Sequence, residues 1–190
     1  MAMPTEPQGL EPYDRVMENI LEEAKVDQEQ IEQLMTLVGV HESGGDASIH
    51  QRGGGPGRGL FQYELEEGGS GAGRTAMNRL YAALGGDLIA GKKPGDMPKW
   101  MDKYFSVNEW GHHEASGDVD FSELTADQQK ILFLADKLMT PGAIKDIGKL
   151  ADHEWWAKYH HKGANSNVQK FSNDSARYLK GEFRKFHNID

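Results

Sequence analysis

The segment VGVHESGG, residues 38–45, ends an apolar helical pattern with one acidic residue and two glycines. Upstream, Asp27 and Gln30 have the spacing of an N-terminal capping box. We therefore predict a helix that begins after Asp27 and ends at about His41 or Glu42. Apolar residues recur along one face of this helix: Ile31, Leu34, Met35 and Val38.

Glu42 closes this predicted helix and precedes a loop crowded with glycine. A helix C-terminus carries partial negative charge, which disfavours an ionised carboxylate, and burial beside apolar side chains acts in the same direction. Both effects raise the pKa of a carboxyl group and keep a proton available near neutral pH, as a general acid requires. Position alone does not separate this role from that of an ordinary solvated acid, so both interpretations stay open.

Residues 43–75 are rich in glycine and cannot form a regular helix. A flexible linker would be polar throughout, whereas this segment has Leu60, Phe61 and Tyr63 at its centre. We therefore expect an ordered, packed loop, with room for a small hairpin within residues 46–63. Phe61 is expected in the core rather than on a ligand.

The rest of the chain predicts a mainly α-helical protein without strong strand patterns. Residues 1–12 are expected to be a flexible tail, and residues 13–190 a single domain. Thr125 and Gln128 form a second capping box, before the clearest apolar helix face. Residues 87–123 are expected to hold one short helix and long loops. Further helices are predicted at 13–25, from 76 to about 84, and at 143–150, 151–161 and 173–187.

Composition argues against several classes of protein. The 190-residue chain has no cysteine, which excludes disulfides, thiolate metal sites and cysteine nucleophiles. Its net charge of −9 argues against a nucleic-acid binder and counts mildly against tight binding to an anionic cell wall. The N-terminus lacks the features of a secretory signal, and no segment approaches the roughly 18 apolar residues of a membrane span. We therefore expect no nucleic-acid partner and no stable membrane insertion. If the target lies outside the cytosol, we expect something other than a signal peptide to deliver the protein.

Two motifs taken together resemble the lysozyme-like lytic transglycosylases. ESGG, residues 42–45, is similar to the Glu-Ser pair that ends the catalytic helix of that family. GLFQ, residues 59–62, is similar to the Gly-Leu-Met/Phe-Gln signature of a loop that lines the same cleft. This second motif starts somewhat later than in common bacterial members, and the extra length falls at Gly53–Gly55.

A third segment, AKYHHKG at residues 157–163, resembles the family's Ala-Tyr-Asn-Ala-Gly motif. Tyr159 matches the tyrosine, His160 stands in for the asparagine, and one extra residue precedes Gly163. The order of GRGLFQYE, TAMNRL, LTADQQKILFLADKLMTPG and WWAKYHHKG resembles lysozyme-like domains of phage virion proteins.

This resemblance implies a lysozyme-like (α+β) fold, a peptidoglycan glycan strand as substrate, and no cofactor. Glu42 would protonate the oxygen between MurNAc and GlcNAc and then act as base on the C6 hydroxyl of MurNAc, giving a 1,6-anhydro product. The protein would be virion-associated or an endolysin, made in the host cytoplasm and acting on the bacterial envelope, with other virion proteins as candidate partners. The substrate-binding residues implied are Ser43, Gln62, Tyr63, Tyr159 and His160.

Three alternatives stay open. In a hydrolytic muramidase on the same fold, Glu64, Glu66 or Glu67 would supply a second carboxylate that positions water. The altered third motif and the acidic charge allow a catalytically inactive virion structural or cell-wall-binding protein. The third alternative is a zinc amidase or peptidase, which the eight histidines suggest. HEWWAKYH, residues 153–160, lacks the H-E-x-x-H spacing of such zinc sites, so we expect no metal.

Overall fold

The computed structural model describes residues 12–115, 118–161 and 167–181, and it shows a mainly α-helical protein. The strands are short: β1 (Gly57–Arg58), β2 (Tyr63–Glu64), β3 (Phe105–Val107) and β4 (His113–Ala115). The α-helices are α1 (Pro12–Ala24), α2 (Gln28–Ser43), α3 (Ala72–Ala83), α4 (Ala126–Leu138), α5 (Asp152–Trp156) and α6 (Val168–Leu179). Two 3₁₀ helices (Lys99–Tyr104 and Phe121–Glu123) and a π-helical turn (Ala157–His161) complete the set.

The helix that carries Glu42 begins and ends close to the predicted residues. The Asp27 carboxylate accepts a hydrogen bond from the Gln30 N–H at 2.9 Å, and the Gln30 side chain accepts one from the Asp27 N–H at 3.2 Å, which completes the capping box. At the other end, Gly44 has a φ of +70° and donates its N–H to the Val40 carbonyl at 2.9 Å. A left-handed residue of this kind ends a helix sharply. Glu42 therefore lies in the last turn of α2.

Helix α4 lies at the centre of the molecule, packed against α1 and α3. It begins at the second predicted capping box, formed by Thr125 and Gln128. Seven consecutive residues of this helix are buried, from Ile131 to Lys137, so that two charged residues at its end lie inside the protein. Helix α6 packs on α2 and α5 at the other side of the core.

Two antiparallel hairpins interrupt the helices. In the first, Gly57 pairs with Glu64 and Arg58 with Tyr63, which places a hairpin in the glycine-rich loop as expected. The second, β3 with β4, was not predicted. Its turn is held by Asn108, whose side-chain oxygen accepts N–H bonds from Trp110 and His112 at 3.0 Å each. This local side-chain bonding is a turn signal that the hydrophobic pattern does not carry.

Several predicted helix boundaries were wrong. Residues 143–150 form successive hydrogen-bonded turns instead of a helix, because Gly142 and Gly148 adopt φ values of +81° and +73°. Helix α3 begins before the predicted Ala76, and α6 begins before the predicted Asn173. Other predictions are confirmed: α1 matches the predicted 13–25, and α5 with the π-helical turn matches 151–161.

Parts of three predictions lie outside the described residues. These parts are the tail at 1–11, positions 162 and 163 of the third motif, and positions 182–187 of the last predicted helix. Within the described ranges, no helix is both long enough and apolar enough to cross a membrane.

Candidate active site

Glu42 lies where two neighbouring cavities meet. The hairpin cavity, about 520 Å³, is bounded by the β1–β2 hairpin, α3, α4 and the π-helical turn. The α6 cavity, about 820 Å³, is bounded by the end of α2, residues 46–52 and α6. Glu42, Gln51 and Gln62 line both cavities. Because the two cavities share these residues, we call them together the groove. A long ligand lying along the groove would pass the Glu42 carboxyl and extend to both sides of it.

The Glu42 carboxyl is largely buried, with 16% of its side-chain surface exposed. Its Oε1 atom accepts a hydrogen bond from Nε1 of Trp156 at 2.7 Å. Burial raises the pKa of Glu42 above the ordinary 4.5, while the Trp156 bond and the electrostatic influence of His161, Lys170 and Lys137 oppose that rise without cancelling it. The group thus retains a proton at higher pH than a solvated glutamate, which is the direction that the general-acid interpretation requires.

His160 lies beside Glu42 but is not its ionic partner. Its Nε2 is 3.0 Å from the carbonyl oxygen of Phe61 and 3.7 Å from Oε1 of Glu42. Burial, with repulsion from Lys137, lowers the pKa of His160 to about 3, so the ring is neutral near pH 7. A carbonyl oxygen can only accept, so Nε2 carries the ring proton and donates it to Phe61. His160 therefore ties the GLFQ loop to the π-helical turn.

Gln62 adopts a backbone conformation that side-chain-bearing residues rarely use, with a φ of +50°. Its Nε2 donates to the Gly59 carbonyl at 2.9 Å, which holds the side chain against its own loop. Only glycine fits at position 59, because the φ of +71° disfavours a side chain and because an added Cβ would lie 2.4 Å from Oε1 of Gln129. That oxygen accepts the Leu60 N–H at 2.6 Å. The loop is thus a fixed wall of the groove and not a flexible linker.

Three other residues expected at the site make structural contacts. Ser43 donates its hydroxyl to the Gly39 carbonyl at 2.7 Å and so completes the end of α2. Tyr63 is buried and donates its hydroxyl to Asp136 at 2.8 Å. Tyr159, expected to bind substrate, donates its hydroxyl to Asp146 and is not among the residues that line either cavity.

A buried charged cluster in the wall of the hairpin cavity was missed by the sequence analysis. The Asp136 carboxylate accepts from Tyr63, from Lys137 at 2.7 Å and from Arg79 at 2.5 Å. Burial alone would raise the pKa of Asp136, but attraction to Lys137 and the bonds from Lys137 and Tyr63 outweigh it and lower the pKa. An Asp-Lys pair inside the apolar run ILFLADKL was the available signal.

A second cluster attaches α6 to the end of α2. Nδ1 of His41 lies 2.9 Å from Oδ2 of Asp174, and the same oxygen accepts from Nζ of Lys170 at 2.6 Å. Burial lowers the pKa of His41, although the bond to Asp174 opposes this shift. The His41 ring also packs edge-on against Trp156 with centroids 4.6 Å apart. These contacts fix the wall of the α6 cavity next to Glu42.

The other candidate carboxylates have different surroundings. Glu64 lines the hairpin cavity and accepts the Ser70 N–H at 2.9 Å. Glu66 pairs with Arg74 at 3.0 Å in an exposed ion pair, outside the residues that line either cavity. Among the residues that the structure describes, no group of three or more histidine, aspartate or glutamate side chains is arranged to hold a metal ion.

Comparison of the chain with protein-family models, with curated proteins and with solved structures finds no match. A functional assignment therefore depends on the groove, on the environment of Glu42 and on the motifs ESGG, GLFQ and AKYHHKG. The first two motifs meet at the groove, since Glu42 and Gln62 line both of its cavities. The described part of the third motif contributes His160, which bonds to the loop of the second.

Proposed function

We propose that this protein is a lytic transglycosylase with a lysozyme-like fold, which cleaves the β-1,4 bond between MurNAc and GlcNAc in peptidoglycan. Glu42 serves as its general acid and base. The observation that carries this proposal is the position of Glu42: a buried carboxyl with a raised pKa, at the junction of two cavities that form one groove. The resemblance of ESGG and GLFQ to the family motifs supplies the substrate class.

The groove has the character of a polysaccharide site. Its α6 cavity is lined mainly by polar side chains that can donate or accept hydrogen bonds, while Val40 and Ile49 are the larger apolar residues there. A sugar chain presents hydroxyl and amide groups along its whole length. An extended polar groove therefore suits it better than a compact apolar pocket does. Placing the reactive carboxyl between two cavities provides room for sugars on both sides of the cleaved bond.

In the first chemical step, Glu42 donates its proton to the glycosidic oxygen. The bond between C1 of MurNAc and that oxygen breaks, and the leaving GlcNAc keeps the proton as its 4-hydroxyl group. Positive charge develops at C1, where the acetamido group of the same MurNAc stabilises it. A carboxyl whose pKa is raised by burial is better suited to this step than a solvated one, because general acid catalysis is most effective when the pKa lies near the working pH.

In the second step, the Glu42 carboxylate removes the proton from the C6 hydroxyl of MurNAc. The C6 oxygen bonds to C1 and closes the 1,6-anhydro ring, and Glu42 is again protonated. No water is consumed, and no second carboxylate is required. Positioned acid–base catalysis of this kind contributes roughly 10²–10⁴-fold to a rate.

The surroundings of the neighbouring carboxylates favour this single-acid chemistry. Asp136 lines the hairpin cavity, but Lys137, Arg79 and Tyr63 already bond to it. Its lowered pKa makes it a poor proton donor and, with its lone pairs occupied, a poor base. Hydrolysis by a muramidase would need another carboxylate to activate water.

A hydrolytic muramidase is the second candidate because Glu64 also lines the hairpin cavity. In that version, Glu64 would hold the attacking water, and the product would carry a reducing end in place of the anhydro ring. The two reactions differ by one water molecule in the product mass. Glu64→Gln would abolish a muramidase and leave a transglycosylase active.

The test is digestion of purified, unlabelled peptidoglycan by the wild type and by Glu42→Gln, with the released muropeptides identified by mass. The proposal expects anhydro-muropeptides from the wild type and a loss of at least about 10²-fold in the variant. Glu67→Gln is a matched control, because it removes an acid that lines neither cavity. Failure of well-folded wild type to release any fragment would overturn the proposal and favour a structural or wall-binding protein.

Delivery in a virion is a separate proposal that depends on the likeness to lysozyme-like domains of phage particles. Mass spectrometry of purified phage particles tests it directly. Presence of this chain in intact particles is the expected result, together with contacts to other virion proteins that crosslinking would identify. Its appearance only in lysates would indicate the endolysin role instead.

A further inference from the structure

Trp156, which bonds to Glu42, is held firmly by its surroundings. Its side chain is buried, with 1% of its surface exposed. Phe171 stacks on the indole with centroids 5.2 Å apart, and His41 packs against it edge-on. The indole therefore has little freedom to turn away from the carboxyl.

The chemistry of indole determines which oxygen of Glu42 is engaged. Indole Nε1–H is a donor and cannot accept a hydrogen bond. It points at Oε1 from 2.7 Å, whereas Nε2 of the neutral His160, 3.7 Å from the same oxygen, donates its hydrogen to the Phe61 carbonyl. A carbonyl oxygen accepts such bonds better than a hydroxyl oxygen does, so the acid proton belongs on Oε2.

We infer that Trp156 is a positioning residue that fixes Glu42 with Oε1 as acceptor and Oε2 as the proton-bearing oxygen. This inference rests on the proposed function of Glu42 and adds to it the assignment of the transferable proton to one atom. The same N–H strengthens its bond when Glu42 becomes ionised, because charge-assisted hydrogen bonds are stronger than neutral ones. Trp156 thus also stabilises the carboxylate formed after proton donation.

Other charged or titratable groups surround the carboxyl and must be separated from the effect of Trp156. They come from every element packed against the end of α2. They are His41 on α2 itself, His160 and His161 on the π-helical turn, Lys137 on α4, and Lys170 and Asp174 on α6. Trp156→Phe removes the indole N–H and leaves all of these groups in the chain, and its loss of ring volume must be matched by a control.

The neighbouring Trp155 provides a matched control. It is equally buried, at 1% exposure, and its Nε1 donates to the Ala143 carbonyl at 2.7 Å, the same length as the bond from Trp156 to Glu42. Trp155→Phe removes an indole bond of the same length from the same helix without touching the carboxyl. Trp156→Phe is expected to raise the pKa of Glu42 and to lower kcat by roughly 10- to 100-fold, with KM little changed. Trp155→Phe should change neither value.

A measurement on the wild type covers the case in which Trp156→Phe does not fold. In ¹⁵N-resolved spectra, the Trp156 indole N–H resonance should shift with pH along the titration of Glu42. That shift should vanish in Glu42→Gln, and the Trp155 resonance should not follow this titration. A Trp156 resonance that ignores the ionisation of Glu42 would overturn the inference.

The outcomes also separate this inference from the proposed function. If the wild type cleaves peptidoglycan but Trp156→Phe matches Trp155→Phe in kcat and in the pKa of Glu42, the positioning role is wrong and the transglycosylase stands. If the wild type does not cleave glycan but the Trp156 indole resonance shifts with the ionisation of Glu42, the proposed function is wrong and the hydrogen bond stands.

Discussion

Two of the carboxyl groups that line the hairpin cavity, Glu42 and Asp136, have pKa values shifted in opposite directions. Glu42 has a neutral donor, Trp156, and a raised pKa, whereas Asp136 has the cations Lys137 and Arg79 and a lowered pKa. Both side chains are mostly buried, with 16% and 9% exposure, so burial alone does not explain the difference. Direct contact with cations therefore decides the direction in which each pKa is shifted.

The largest expected effect comes from removing one of the two cations beside Asp136. Lys137→Met should reduce the free energy of unfolding by about 3–5 kcal/mol, because it removes the more deeply buried of the two cations that bond to the Asp136 carboxylate. The pKa of Asp136 should rise in the same variant. Urea denaturation followed by circular dichroism measures the first effect and carboxyl NMR the second.

Lys93→Met is the control for that substitution. Lys93 pairs with Asp102 at the same 2.7 Å, but both side chains are about half exposed. Surface pairs contribute only about 0–1 kcal/mol. Equal losses from the two variants would show that Asp136 is as well solvated as a surface acid, and the comparison with Glu42 would then fail.

Removing a neutral donor from Asp136 should have a smaller effect. Tyr63→Phe deletes the hydroxyl that donates to Asp136 at 2.8 Å, and hydrogen bonds to charged groups are worth about 1.5–3 kcal/mol. Tyr159→Phe deletes a similar bond to Asp146 at the protein surface and should cost less. Thermal unfolding of both variants under one buffer condition measures the difference, and a larger loss from Tyr159→Phe would contradict the buried cluster.

The two acids should give stability profiles of opposite slope against pH. The pKa of folded Glu42 lies above its ordinary value of 4.5, so its contribution to the free energy of unfolding is lost as pH rises through the interval between the two values. The pKa of folded Asp136 lies below 3.8, so its contribution is lost as pH falls through that lowered value. A tenfold difference in proton affinity between the folded and unfolded chains corresponds to about 1.4 kcal/mol.

Urea denaturation across the acid range, with Glu42→Gln and Asp136→Asn beside the wild type, checks these signs. The stability of Glu42→Gln relative to the wild type should increase with pH. The deficit of Asp136→Asn relative to the wild type should shrink in acid. Parallel profiles for the two variants would mean that the acids have similar environments.

The smallest expected effect on stability is at Gln62. Gln62→Gly relieves the strain of a φ of +50° but removes the bond to the Gly59 carbonyl, so the free energy of unfolding should change by less than about 1 kcal/mol. Glycan cleavage should fall if this side chain contacts the sugar. Lys25→Gly is the control, since Lys25 is exposed, has a φ of +57° and lies away from the groove. It should gain about 0.5 kcal/mol and keep full activity.

Features governed by neighbours along the chain were predictable from the sequence. The capping box of Asp27 with Gln30 and the left-handed Gly44 depend on residues a few positions apart, and they fixed α2 and hence the place of Glu42. The helix expected at 143–150 was wrong because apolar spacing does not reveal that Gly142 and Gly148 adopt positive φ.

Contacts between distant segments were not predictable in this way. The partner of Glu42 is Trp156, which is separated from it by most of the chain, and His160 bonds to Phe61 across a similar distance in sequence. Asp136 lies in helix α4, where the spacing of the apolar residues indicates a buried position. That spacing does not show which cations bond to the buried carboxylate. Glu42 and the GLFQ loop of the candidate site could thus be named from the sequence, while the groups that set the pKa of Glu42 required the fold.

One titration tests the central claim that the pKa of Glu42 is raised while that of Asp136 is lowered. The side-chain carboxyl resonances of the wild type are followed by ¹³C NMR over the acid to neutral range, with Glu42→Gln and Asp136→Asn used for assignment. We predict that the pKa of Glu42 lies above 4.5 and that of Asp136 below 3.8. A Glu42 that titrates at or below the ordinary value would contradict its role as the general acid of this groove.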